Sequence, residues 1–354
     1  MSNRAQQLER RGFTLGNARS KASEHAHQND LDRWNQGQSV YLAGQCRATL
    51  AKHRTNIKQT ESLVTAIIDD RDCDSVLANA PYVDRLEPKF QSLGSTFNEG
   101  DQQEIEMVMF DAIDGETIVA EDLWLKASWL SFHDDDLSLR FRFSFGIDHE
   151  EDVAADPHRQ QLAAELTEAV FPESSIITGN SDLIDKLKTL LASNEVRFVE
   201  RIIYFNGPNG GAYLHHDLER GHAGVVFAQL TGNTFWLALP KQTLIEEIIR
   251  FSKAHPWPDS LTLEMRKEMN NLIGDRCYLA EQLSSFANTS LIHLINETEE
   301  FVQYLIDRGY STKLEPGDVL LLPQATEDTC CWHSVFCLGD EMGQALSFAV
   351  RAGL

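Results

Sequence analysis

The chain has 354 residues, 42% hydrophobic and 24% charged, enough to bury a sizeable core. Its 31 Lys and Arg against 54 Asp and Glu give a formal charge of −23, which argues against nucleic acid and anionic membrane as partners and favours solubility or a basic partner. The N-terminus MSNRAQQLERRGF lacks the apolar core of a signal peptide, no apolar run reaches bilayer-spanning length, and the six cysteines show no CxxC pair, so a cytoplasmic protein with free thiols is expected.

Residues 1–30 are polar and read as a mobile or loosely docked tail. From Asp30 to Leu77 the apolar spacing is helical, through Leu42, Leu50, Ile57, Leu63, Val64, Ile67 and Ile68. Residues 78–105, with Pro81, Pro88, Gly94 and Gly100, read as irregular structure. The period then changes. Trp124 to Phe132 and Leu137 to Gly146 predict an antiparallel hairpin, in which Leu139, Phe141, Phe143 and Phe145 alternate with Arg140, Arg142 and Ser144. The cluster His133-Asp134-Asp135-Asp136 between them reads as a solvated turn.

Two amphipathic helices are predicted over His158–Phe171 and Ser181–Ala192, the second capped by Ser181 or Asp182. Val196–Asn206 predicts a strand, and the glycine-rich loop 207–211, with no Gly-Lys-Ser/Thr and no helix after it, is not a phosphate loop. Residues 241–309 predict three helices: one with a capping box of Thr243 and Glu246, one over Leu261–Ile273 closing at Gly274, and one over Ala280–Asp307 interrupted near Asn288. Strands resume at Tyr310, with Pro316-Gly317-Asp318 as a tight turn, and continue to the C-terminus.

The chemistry concentrates in Leu214-His215-His216-Asp217. On a strand, residues i and i+2 share a face, so His215 and Asp217 project together while His216 points away. Two imidazoles and one carboxylate on one side of an iron(II) make the 2-His-1-carboxylate site of non-heme oxygenases. His333, in a strand-like run after Trp332, supplies the second histidine, with the helical interval as an insertion between core strands. His222 is an alternative ligand on a loop that reads as exposed; Cys330 and Cys331 read as buried small apolar residues, with a softer metal as the other reading.

In order, the chain carries His215-His216-Asp217, Gln229-Leu230-Thr231-Gly232, Trp236-Leu237-Ala238-Leu239-Pro240, Pro316-Gly317-Asp318-Val319 and His333. This set, over residues 196–240 and 310–354, resembles the cupin-like, Jumonji-C-type iron(II)/2-oxoglutarate oxygenases. The resemblance implies an α+β chain with a double-stranded β-helix (jelly-roll) core. A mostly helical region spans 1–105, the first core part 106–240, a helical insertion 241–309 and the last core strands 310–354.

It further implies Fe(II) held by His215, Asp217 and His333, with 2-oxoglutarate and O2 as cosubstrates. The product is a hydroxylated amino-acid, peptide or protein side chain, a basic one in keeping with the acidic balance. The basic residue that commonly holds the far carboxylate of 2-oxoglutarate is replaced here by Thr234, which turns attention to Arg351 on the last strand, with Tyr204 and Thr234 adding hydroxyl donors. A metal-binding cupin without 2-oxoglutarate chemistry and a non-catalytic binding module stay open, and the helical parts suit a lid or a homodimer interface.

Overall fold

The computed structural model describes residues 6–18, 29–70, 72–96, 103–133, 135–145, 156–218 and 222–353. Its strands are β1 (Gln6–Arg10), β2 (Phe13–Ala18), β3 (Val40–Leu42), β4 (Phe90–Thr96), β5 (Glu104–Asp114), β6 (Thr117–Trp129), β7 (Leu139–Phe145), β8 (Val196–Asn206), β9 (Gly211–His215), β10 (Gly224–Gln229), β11 (Asn233–Pro240), β12 (Ser311–Leu314), β13 (Val319–Pro323), β14 (Cys331–Leu338) and β15 (Gly343–Ala352). A nine-stranded antiparallel sheet has the order β3-β13-β10-β15-β8-β7-β6-β5-β4, and a four-stranded sheet the order β12-β11-β14-β9. From β8 onward the chain passes back and forth between the two sheets, with β11 and β12 both in the smaller one.

Period-two patterning assigns each face. On β11, Phe235, Leu237 and Leu239 point outward into a cluster with Leu244, Ile248 and Phe251 of the helix Lys241–Ala254, while Trp236 points inward to Val225, Phe227 and Val335. On β7, β8 and β15 the outward residues Phe141, Phe143, Ile203, Phe205, Leu346 and Phe348 meet Phe171 and the helices Pro157–Val170 and Ser181–Leu190. Phe141, Phe171 and Phe205 pack with ring centroids 5.2–6.3 Å apart. Each such buried ring contributes about 1.5–3 kcal/mol. Helices therefore cover both outer faces, and the space between the sheets is left for the site.

Several elements differ from the sequence reading. Residues 6–18 are not a loose tail: β1 and β2 pair as a hairpin, with Leu8, Arg10 and Leu15 fully buried. The rest of that predicted tail, 1–5 and 19–28, lies outside the described residues. β3 interrupts the helical stretch to cover the edge strand β13, because Asp318 accepts from Tyr41 Oη at 2.9 Å and from the Gly44 amide at 2.7 Å. The stretch 78–105 contains the helix Tyr82–Leu86 and β4, not irregular chain alone.

The predicted capping box fails, since the first helix of the 241–309 interval already starts at Lys241 behind Pro240, and Glu246 pairs with Arg276 instead. The last predicted helix is three, Arg276–Ser285, Thr289–Glu297 and Glu299–Asp307, with Asn288 capping the second through the Leu291 amide. Asn180, not Ser181 or Asp182, caps the helix Ser181–Leu190. No helix among the described residues is long and apolar enough to cross a membrane.

Candidate functional site

His215 is the last residue of β9, and its cross-strand partner is His333 of β14. Their ring centroids are 4.3 Å apart. Asp217 follows two residues beyond the strand end and reaches both imidazoles: Oδ1 is 3.4 Å from His215 Nε2, and Oδ2 is 3.3 Å from His333 Nε2. One ligand atom from each residue lies within 4.8 Å of the others. His216 turns to the other side, edge-on to Trp332 at 5.0 Å.

Backbone carbonyls fix the tautomers. His215 Nδ1 lies 2.6 Å from the Tyr213 carbonyl and His333 Nδ1 lies 3.2 Å from the Cys331 carbonyl. A carbonyl only accepts, so each Nδ1 carries a hydrogen, and Nε2 is the nitrogen that each imidazole turns to the common point. Burial alone would push the Asp217 carboxyl up, but the charge of His333 and the hydrogen bonds of both histidines hold it well below the usual carboxylate range. Burial likewise works to lower His215, and the hydrogen bond and charge of Asp217 outweigh it and raise the imidazole. Two imidazole Nε2 atoms and an ionised carboxylate on one side of an open space fit a divalent first-row metal, which binds in place of any Nε2 proton and leaves positions for other ligands.

The triad forms one wall of a cavity of about 280 Å³ between the sheets. That is near the lower bound of roughly 300–1,000 Å³ for ligand pockets. Trp236 stacks on His333 at 5.6 Å, and Val225, Phe227 and Val335 make the apolar lining. The opposite wall is polar and comes from the inward faces of β7 and β8, which carry Arg140, Arg142, Glu200, Tyr204 and Asn206. Arg142 is paired with Glu200. Arg140 Nε and Asn206 Nδ2 are buried and have no hydrogen-bond partner. Burial first, and then the charge of Asp217, push the Tyr204 phenol up to about 12 while Arg140 pulls it back, so at neutral pH it is a hydroxyl donor.

Of the six residues expected from the sequence, four line this cavity: His215, Asp217, His333 and Tyr204. Thr234 does not. It is fully buried, donates to Gln229 Oε1 at 2.8 Å and accepts from Trp236 Nε1 at 2.9 Å, so its hydroxyl is already used within the core. Arg351 lies on the same face of β15 as Ser347 and Ala349, two residues past the last lining position.

His222, expected on an exposed loop, is 4% exposed and lines the cavity. The acidic turn is only partly solvated, because Asp136 is buried against Arg11 at 3.6 Å; Asp134 lies outside the described residues. Cys330 and Cys331 are buried, and burial raises both thiols. Arg140 and Asn206 are the residues the sequence reading missed. The signal was present in the Arg-Phe alternation of β7, whose polar positions face a cavity, not solvent.

No family model matches the chain, and no curated protein matches it. Among solved structures, the chain is similar to the ribosomal oxygenase YcfD of Escherichia coli, at 13% identity and a TM-score of 0.28 over 93% of this chain and 52% of that one. A second structure of E. coli YcfD gives 12% identity and a TM-score of 0.30 over 93% and 54%. An oxidoreductase of the 2OG-Fe(II) oxygenase family from Burkholderia pseudomallei gives 9% and 0.32 over 94% and 96%. The chain thus spans about half the length of the YcfD chains. Scores this low transfer no function.

Proposed function

We propose that the chain is an iron(II)- and 2-oxoglutarate-dependent oxygenase that hydroxylates an amino-acid, peptide or protein side chain. The observation that carries this reading is the convergence of His215 Nε2, His333 Nε2 and the Asp217 carboxylate at one wall of a cavity whose other wall holds a partnerless guanidinium nitrogen. In this reading residues 106–240 and 310–354 form the catalytic core, with 1–105 and 241–309 as its accessory parts.

Iron(II) in such a ligand set supplies the redox chemistry by which O2 and 2-oxoglutarate yield succinate, CO2 and a hydroxylated product. The chain's residues do the rest. His215, Asp217 and His333 hold the metal, and the carbonyls of Tyr213 and Cys331 keep both imidazoles in the ligating tautomer. Arg140, with the Tyr204 hydroxyl and the Asn206 amide, pairs with the far carboxylate of 2-oxoglutarate and takes the role expected of Thr234 and Arg351. Trp236, Phe227 and Val225 keep water from the reacting groups.

Anaerobic addition of Fe(II) and 2-oxoglutarate should give a visible metal-to-ligand charge-transfer band, and admission of air should give succinate. His215→Ala and Asp217→Ala should lose iron and turnover while keeping the wild-type circular-dichroism spectrum. Turnover persisting in both variants would remove the assignment, and iron binding with no such band would favour a cupin that does not use 2-oxoglutarate.

A further inference from the structure

β9 is an edge strand, yet it carries His215 and leads into Asp217. Its pairing with β14 is irregular. His333 faces His215 and Val335 faces Ala212, so Tyr213 and Leu214 together oppose the single residue Ser334. Such a bulge redirects the local backbone, and here the Tyr213 carbonyl in it meets His215 Nδ1.

A bulge on an edge strand needs support from elsewhere, and it comes from Arg10 of the N-terminal hairpin. The Arg10 side chain is fully buried. Its Nη1 donates to the Ala212 carbonyl at 2.7 Å and to Ser334 Oγ at 2.6 Å, touching both strands at the bulge. Its Nη2 donates to the Asn296 carbonyl at 2.8 Å, and the Asn296 side chain accepts from the Leu214 amide at 2.6 Å. The guanidinium also lies over the Tyr213 ring, 4.8 Å from its centroid.

Arg10 makes no salt bridge among the described residues. A buried cation held only by neutral acceptors is a costly way to stabilise a fold, and it suits a role in fixing one backbone geometry. We infer that Arg10 is a positioning residue, which sets the aim of His215 and its register against His333 by clamping the bulge between Ala212 and Ser334. This inference rests on the metal reading of the triad.

The test compares Arg10→Met, Arg10→Lys and a remote core variant, Phe141→Ala, in the full chain. Two quantities are read: amide hydrogen exchange of a peptide covering residues 211–217 in the metal-free protein, and affinity for Co(II) followed by its visible spectrum. A lysine ammonium cannot bridge two strands as a guanidinium does, so Arg10→Lys keeps the test usable if the methionine variant does not fold.

The expected result is faster exchange in 211–217 and Co(II) binding weakened tenfold or more in the Arg10 variants, within the 10–100-fold range for groups that orient metal ligands. Phe141→Ala should lower Tm with both readouts unchanged. Unchanged exchange or unchanged Co(II) affinity in the Arg10 variants would overturn the inference, as would an equal response in Phe141→Ala. Failure of the wild-type protein to take up Co(II) would overturn the metal reading and the inference together. Wild-type uptake with unaffected Arg10 variants would overturn the inference alone.

Discussion

Arg140 stands directly opposite Tyr204 across the β7–β8 pairing, and both side chains face the cavity from the wall opposite the histidines. β7 precedes the strands β8–β15 that pass between the two sheets, so Arg140 reaches the cavity from a strand added beside β8. Arg140→Gln should therefore raise KM for 2-oxoglutarate while leaving Co(II) affinity intact. Loss of a charge-assisted pair worth about 1.5–3 kcal/mol corresponds to roughly a ten- to hundredfold effect. Succinate formation against 2-oxoglutarate concentration measures it, and an unchanged KM would return the anchor to Arg351.

Thr234 gives the opposite expectation. Thr234→Val removes a hydroxyl that serves both Gln229 and Trp236, leaving two buried polar groups without a partner. Each such group costs about 1–3 kcal/mol. The variant should show a lower Tm and denaturation midpoint with KM for 2-oxoglutarate at the wild-type value. A rise in KM without loss of stability would place the hydroxyl back in the binding site.

Glu173 predicts a pH dependence away from the metal ligands. It is fully buried, Oε1 accepts from Thr60 Oγ1 at 2.6 Å and from Gln344 Nε2, and Oε2 has no partner. Burial raises its carboxyl pKa against the pull of those hydrogen bonds. The folded chain thus keeps this proton to higher pH than the unfolded chain, whose glutamates titrate near about 4.3. Between the two values the folded state binds more protons, so this group's contribution to stability falls as pH rises through the window. Glu173→Gln should have a Tm near wild type at about pH 4 and an increasingly higher one toward neutral pH. Parallel Tm curves for the two proteins would contradict this.

What the sequence disclosed and what it concealed divide along physical lines. β8 was legible to the residue because its apolar period and the glycine-rich loop after it are local signals. His215, Asp217 and His333 were legible as a candidate set because metal chemistry restricts residue type, and the structure brings their ligand atoms within 4.8 Å of one another. Arg140 was not, since alternation states that a strand has two faces without saying what lies opposite the polar one. Arg10 was not, because a short polar stretch shows nothing locally of the carbonyls at Ala212 and Asn296 that bind it. Thr234 misled because it was chosen for standing where the resembling family commonly has a basic residue, while its hydroxyl is occupied by Gln229 and Trp236.

The clamp at the bulge has a consequence for biosynthesis. Arg10 and Ser334 are 324 residues apart in sequence. At a synthesis rate of about 5–20 residues per second, roughly 16–65 s separate their appearance. β9 is made well before β14, and for the roughly 6–24 s between His215 and His333 it has neither β14 beside it nor the histidine it will face, so the nascent chain holds only part of the candidate ligand set. On the metal reading proposed above, loading accordingly waits for β14, and a ribosome-bound intermediate lacking β14 should not retain the ion.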